Sequence, residues 1–482
     1  MIASQAKIKK KSVDLTEGPI LIKMISFVLP LIATNLLQTF YNAADMMIVS
    51  LSSDQNAVGA ISTTAAFVNL IINLFMGFSV GASILVARYI GAKDDKKVSK
   101  TVHTALSMAL ILGAVTAIAG YFISRPILSL MGADGALLEL STLYTQIYFF
   151  GAPFIAVTNY AAAIFNAKGD TKTPLYILSL SGLLNVLMNL VFVTVFSMSV
   201  EGVALATSFS NLASAIALVI CLSKDTGACR FELKKLRIDR DSARAVIREG
   251  LPTGLQNSFF SISNIVVQSA VLRVNSLLVP LESDFAPVVN GNGATASLEM
   301  FVYAAITSVS AAAITFTSQH VGAKKLSRIR RVTAVSVILG MSLTVAMTAV
   351  IFILREPLLS LYDVKKATEG SLEAIAYNTA VTRMLLVSFA YPFNSMMGST
   401  SGIAKGLGRS GTSVIISLIG ACAFRVIWIM TVFNAIPSLE SVYLCYPITW
   451  VLTSLAQLTL ALTTLNKMIA KETNNDSITS KA

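Results

Sequence analysis

Residues 22–50 read IKMISFVLPLIATNLLQTFYNAADMMIVS. Lys23 opens the stretch, Asp45 lies near its end, and no charge stands between them. Coiled as an α-helix, a run of this length crosses the roughly 30 Å hydrocarbon core of a bilayer. It follows Lys7, Lys9, Lys10 and Lys11, as the apolar part of a signal peptide would. It is too long for one, however, and no small-residue cleavage site follows it, so it reads as a first membrane span.

The rest of the chain repeats that pattern. Of 482 residues, 55% are hydrophobic and only 13% charged, with a mean hydropathy of +0.72. That is more apolar surface than a soluble core of this size can hide. Runs such as Val102–Ser124, Tyr176–Met198 and Ser336–Leu354 reach spanning length without an internal charge. Spans fall near 22–50, 57–90, 101–124, 139–166, 174–198, 201–223, 245–274, 292–320, 332–354, 374–404, 412–434 and 441–465. The fold class is therefore an all-α membrane protein of about twelve helices.

A net charge of +12 does not form a nucleic-acid patch; it follows the membrane. Basic clusters lie before span one, at Lys93, Lys96, Lys97 and Lys100, at Lys234, Lys235, Arg237, Arg240 and Arg244, and at Lys324, Lys325, Arg328, Arg330 and Arg331. The loops between, such as Ser52–Gln55, Ser197–Glu201 and Asn434–Glu440, carry none, with Arg355, Lys365 and Lys366 the main exceptions. By the positive-inside rule both termini are expected in the cytoplasm of a cell with this chain in its inner or plasma membrane. Cys221, Cys229, Cys422 and Cys445 are scattered, with no CxxC pair, so neither disulfides nor a metal site is expected.

The chain also matches itself. A shift of 222 positions lays Leu29-Pro30 on Leu251-Pro252, Asn35 on Asn257 and Asn42 on Asn264. A shift of 231 lays Gly91-Ala92-Lys93 on Gly322-Ala323-Lys324, and one of 239 lays Pro153-Phe154 on Pro392-Phe393 and Gly169 on Gly408. The growing offset is what loop insertions produce. Six spans per copy is an even number, so both copies enter from the same side, as parallel repeats do. The expected organisation is a tail at 1–20, one lobe at 21–224, a linker at 225–243, a second lobe at 244–467 and a tail at 468–482, with the two lobes facing across a central cleft.

Polar groups inside the spans point to the site. Asn35, Gln38, Asn42 and Asp45 follow at steps of three and four and share a helix face, with Tyr41 beside them. A mid-membrane carboxylate costs about 2.5–3.5 kcal/mol on insertion scales, so Asp45 should face a wet cavity and exchange a proton or a sodium ion, unless it lies at the outer end and is simply hydrated. Asn257, Ser261, Asn264 and Gln268 repeat the stripe in span seven, and Ser181, Asn185 and Asn189 stack in span five. Such amides line a cavity or glue helices together. Glu299 in span eight either holds a cation or pairs with a base, and Pro30 gives span one either a hinge or a fixed kink. His103 and His320, near helix ends, and Trp428 and Trp450 are assigned no chemistry. No phosphate-cradling GxxxxGK[ST], hydrolase elbow or HExxH occurs, so neither an enzyme nor an ATP-driven pump is expected, and an ion gradient is the energy source.

These pieces together resemble one family. Leu15-Thr16-Glu17-Gly18-Pro19-Ile20, Leu29-Pro30 and Tyr41-Asn42-Ala43-Ala44-Asp45 resemble the first helix of multidrug and toxic compound extrusion (MATE) transporters. Val80-Gly81-Ala82-Ser83 through Gly91-Ala92, Lys168-Gly169-Asp170-Thr171-Lys172-Thr173-Pro174, Gly250-Leu251-Pro252 to Gln268-Ser269-Ala270 and Tyr446-Pro447-Ile448-Thr449-Trp450 extend the likeness over residues 15–465. The resemblance implies two six-helix lobes and export of amphipathic, often cationic small molecules in exchange for H+ or Na+, with no cofactor and a functional monomer. It implies that Asp45 binds the coupling ion, with Asn185, Asn189 and Glu299 as further ion-site residues, and that Pro30 marks a bend. Many relatives have Asn and Asp four apart in helix five where this chain has Asn185 and Asn189, and Asn394 stands where some branches have an acid. A lipid-linked precursor flippase of related two-lobe design is the rival; it would need cavity cations, and Lys405 and Arg425 are the candidates.

Overall fold

A computed structural model describes residues 14–50, 56–279 and 285–479. The lysines before span one and the loop Ser52–Gln55 lie outside the described residues. The helices, in chain order, are α1 (Ile20–Val49), α2 (Ala57–Gly91), α3 (Asp95–Leu130), α4 (Gly135–Phe150), α5 (Ala152–Ala167), α6 (Lys172–Leu190) and α7 (Val200–Ser223). They continue as α8 (Arg240–Leu278), α9 (Pro287–Gly322), α10 (Leu326–Ile353), the short α11 (Arg355–Ser360), α12 (Leu372–Leu386), α13 (Tyr391–Gly406), α14 (Ser410–Ser417), α15 (Phe424–Trp428) and α16 (Leu439–Thr479). No strand occurs among the described residues. Among the described residues, nine helical segments are long and apolar enough to cross a membrane, and α4 with α5 makes a tenth, bent by 48°. The remaining two of the twelve paths, α8 and the α12–α13 pair, have spanning length with a more polar sequence.

Four spans are less regular than their sequences suggest. The fourth breaks at Gly151, ahead of Pro153, and the tenth breaks between α12 and α13 at Ser388–Ala390, ahead of Pro392. In both, proline removes a backbone donor and restricts the residue before it, which is where a helix bends. The eleventh alternates α- and π-helix, with π-helical turns at Leu418–Ala423 and Ile429–Phe433. α6 likewise runs into a π-helical turn at Val191–Val195.

The duplication is visible in the backbone itself. Lys93 and Lys324, matched by the 231 shift, both stand at φ 55, a left-handed conformation uncommon outside glycine. Gly169 and Gly408 take φ 88 and φ 82, and close their helices with the same pair of bonds. Gly169 donates to Asn166 O and Asp170 to Phe165 O; Gly408 donates to Lys405 O and Arg409 to Ala404 O.

The helices gather into two compact units, and their borders depart from the expected 21–224 and 244–467. The first unit holds Ala33–Gly254 and Ser318–Lys324; the second holds Pro19–Ile32, Leu255–Thr317 and the chain from Lys325 onward. The border thus crosses α1 just after Pro30 and α8 just after Pro252, at positions related by the same 222 shift. Packing explains the exchange. In the first unit, a Cβ on Gly250 would lie 2.7 Å from the Phe78 Cα and one on Gly81 2.7 Å from the Gly250 nitrogen, so the start of α8 lies backbone to backbone on α2. In the second, Phe27 of α1 meets Phe316 edge-on at 5.8 Å, and Ser336 of α10 donates to the Met24 sulfur at 3.5 Å.

Candidate functional site

In the first unit Tyr41 and Asp45 of α1 reach α6. Tyr41 donates from its hydroxyl to the Ser179 carbonyl at 2.9 Å, and its ring occupies the space a side chain at Gly182 would need. One turn further on, Asp45 Oδ1 accepts from Asn189 Nδ2 at 2.5 Å. The same Nδ2 reaches Asn185 Oδ1 at 3.4 Å, and Asn185 Nδ2 reaches Thr207 Oγ1 of α7 at 3.4 Å. Asn189 is fully buried and Asn185 nearly so, while Asp45 is half-buried. The phenols of Tyr144 and Tyr148, with rings 5.9 Å apart, lie within electrostatic reach of that carboxyl.

Two details define what this cluster can do. Asp45 makes no ion pair among the described residues. The Asn189 Oδ1 is buried and accepts no hydrogen bond, a state that costs about 1–3 kcal/mol. A carboxylate, an unsatisfied amide oxygen and a second amide oxygen next to it make an all-oxygen set that a hard monovalent cation or a proton would complete. Among the described residues no group of three or more His, Cys, Asp or Glu side chains converges as a metal site would require.

The other stripe residues of α1 are arranged more loosely. Gln38 and Asn42 are exposed and Asn35 half-buried. Pro30 is buried inside α1, which continues through it as helix.

The second unit is built differently. Glu299 of α9 is buried and holds a cation of the chain itself: Arg383 of α12 donates to Glu299 Oε2 from Nη2 at 2.6 Å and from Nε at 3.2 Å. Ser388 and Tyr391 donate to the same carboxylate at 2.8 and 3.2 Å. Arg383 Nη1 donates to Asn292 Oδ1 at 2.7 Å, the Tyr443 hydroxyl joins that oxygen at 3.0 Å, and Asn292 Nδ2 donates to Gln268 Oε1 at 3.1 Å. Of the two readings open for Glu299 in sequence, cation holder or partner of a base, the geometry has the second: Oε2 takes three donors, two of them from Arg383, and Oε1 one.

Gln268 thus belongs to a closed network. Asn264 is exposed and receives Arg425 at 3.4 Å, and Asn257 is half-buried. The buried Arg425 guanidinium also donates to Thr449 at 3.3 Å and lies 4.5 Å from the centre of the Tyr446 ring. Buried Lys405 donates to Gln256 Oε1 at 3.1 Å. Neither makes an ion pair among the described residues.

Sequence reading missed Arg383 and Asn292. The signal was present, since a base inside the apolar run 374–404 demands a partner. His103, assigned no chemistry, is buried to 2% and fully bonded, with Nδ1 on the Ser99 carbonyl at 2.7 Å and Nε2 accepting the Glu232 N–H at 3.0 Å.

A duplicated helical bundle of this length and polarity is that of a multi-pass membrane protein. The sequence profile of the MatE family matches residues 30–191 and 253–433, and the chain belongs to that family, whose members are transporters and not an enzyme class. It is 26% identical over 352 residues to a probable multidrug resistance protein, YoeA, of Bacillus subtilis, covering 72% of this chain and 74% of that one. It is 23% identical over 414 residues to the multidrug export protein MepA of Staphylococcus aureus, covering 86% and 88%. Among solved structures it superposes on an outward-facing multidrug resistance MATE family transporter of the MOP superfamily with a TM-score of 0.86, at 20% identity, over 96% of this chain and 99% of the other. A MATE structure described as the bent conformation gives 0.86 at 19% identity over 96% and 99%, and one described as the straight conformation 0.83 at 20% over 96% and 100%.

Proposed function

We propose that this chain is a secondary active exporter that exchanges amphipathic, cationic compounds for H+ or Na+ by alternating access. The observation that carries the proposal is the Asp45–Asn189 pair: a carboxylate in a membrane span, with no base, next to a buried amide oxygen that accepts nothing. A cation entering there gains a counter-charge and a vacant acceptor together. Asp45, Asn185 and Asn189 are the coupling residues, while Asn35, Gln38, Tyr41 and Asn42 in the first unit, and Asn257 and Asn264 in the second, contact the substrate; Gln268, expected beside them, serves its own unit's network. Glu299, neutralised by Arg383, fixes the architecture of its unit and does not exchange an ion. Pro30 and its repeat Pro252 act as hinges, a reading supported by the unit borders that follow each of them.

Ion binding drives transport only if the ion prefers one arrangement of the protein, because equal affinity for both shifts nothing. Asp45 supplies that preference if water reaches it from outside in one arrangement only. In the proposed arrangement both termini are cytoplasmic, a reading supported by the basic loops, and the protein works in the cell membrane as a monomer without a cofactor.

The experiment is efflux of a lipophilic cationic dye from proteoliposomes under separately imposed proton and sodium gradients. Gradient-driven efflux should appear with one ion and vanish in Asp45→Asn at normal protein levels. Unchanged transport by that variant would remove Asp45 from the mechanism. A second reading, movement of a lipid-linked phosphate, is favoured by the buried Arg425 and Lys405 without carboxylate partners; dye transport that is absent under every gradient would favour it.

A further inference from the structure

The linker between α7 and α8 does more than join two halves. It is tied down at two points: the Glu232 N–H donates to His103 Nε2 at 3.0 Å, and the Asp239 N–H donates to Thr104 Oγ1 at 3.1 Å. The His103 ring also stacks on Phe231, with centroids 5.6 Å apart. Asp239 then opens α8, accepting from the Ser242 hydroxyl at 2.8 Å and its N–H at 3.1 Å. Those bonds, first of all the one from the Ser242 hydroxyl, hold the Asp239 carboxyl below its usual range and keep it ionised.

The docked linker closes a cavity of about 230 Å³ against the first turns of α3, lined by Ser99, Lys100, His103, Lys234, Lys235, Arg237 and Asp239. Its charge is lopsided. Lys100 is matched by Asp239 at 3.4 Å and Lys235 by Glu232 at 3.0 Å, while Lys234 and Arg237 make no ion pair among the described residues. The positive-inside rule accounts for basic residues in such loops but not for their convergence, from segments 130 residues apart in sequence, on one cavity with a locked histidine in its wall.

Depth and flanks narrow the ligand. Lys100 immediately precedes the apolar run of α3, which brings that wall of the cavity to the level expected for lipid headgroups. Between its cations the linker exposes Leu233 by 75% and Ile238 by 48%. An apolar side chain on either side of a basic cluster is the pattern of a segment lying in the membrane interface, its apolar tips in the acyl boundary. A soluble phosphate has no use for those tips.

We propose that this cavity binds the phosphate of an anionic phospholipid, with Lys234 and Arg237 as its counter-charges and Leu233 and Ile238 resting among the acyl chains. The site is independent of the ion site at Asp45.

The test uses the full-length purified protein in a neutral detergent and follows its thermal unfolding against short-chain phosphatidylglycerol, short-chain phosphatidylcholine and inorganic phosphate. Wild type should be stabilised by phosphatidylglycerol, less so at high salt, and by neither of the others at the same concentration. Lys234→Gln with Arg237→Gln should weaken that binding about tenfold or more. Lys467→Gln with Lys471→Gln, which removes equal charge from the end of α16, should leave it within about twofold. Equal weakening by both pairs, or an equal response to phosphatidylcholine, overturns the site. A matching response to inorganic phosphate overturns the lipid assignment and leaves a soluble phosphate ligand.

Discussion

Asp45 in the first unit and Glu299 in the second both lie within membrane spans, and the two are treated in opposite ways. Asp45 is held by the amide of Asn189 and no base, whereas Glu299 receives two donors from Arg383 and one each from Ser388 and Tyr391. A buried carboxylate with a built-in cation is a structural part, since removing either partner strands a charge. A carboxylate without one is an incomplete part, and its missing cation is free to come and go. Internal duplication therefore did not duplicate the surroundings of the acid: one unit holds its carboxylate with amides, the other with a base.

The largest effect should come from breaking the closed pair. Glu299→Gln leaves the Arg383 guanidinium buried without an anion and should cost about 3–5 kcal/mol, read as a lowered thermal midpoint in detergent and reduced protein in membranes. If that variant is as stable as wild type, the contrast between the units fails. Asp45→Asn should do the reverse, leaving the thermal midpoint within a few degrees of wild type while gradient-driven dye efflux falls by at least about tenfold. A smaller change is expected from Asn189→Ala, which removes one hydrogen bond to a charged group. The ion concentration for half-maximal efflux should rise about tenfold, with the rate at saturation retained. The smallest is the paired replacement of Glu299 and Arg383 by Met. Exchanging a buried ion pair for apolar side chains of similar volume is near neutral, so most of the stability lost in Glu299→Gln should return. Failure to recover would assign Glu299 a role beyond its partner.

Much of this was legible in the sequence, for reasons that can be stated. The spans follow from apolar length, and the duplication followed from Pro30 with Pro252 and from Gly169 with Gly408, which mark helix bends and ends where backbone geometry permits few alternatives. The pairing of Asp45 with Asn189 was half visible, because each stripe could be drawn on its helix but the register between α1 and α6 could not. It depends on Tyr41 fitting over Gly182, a tertiary contact with no periodic signature. The Glu299–Arg383 pair was missed because its members are 84 residues apart and belong to different helices. The breaks at Gly151 and at Ser388–Ala390 needed more than the prolines that follow them, since Pro30 and Pro252 lie inside helices that continue.

The exchange of helix ends between the units constrains how the chain can be divided. A cut in the linker near residue 230 would give two fragments that each lack a piece their own unit requires: Pro19–Ile32 would leave with the first fragment, and residues 240–254 with Ser318–Lys324 would leave with the second. The two fragments are therefore expected to accumulate only when produced together in one cell, read as protein level in membranes.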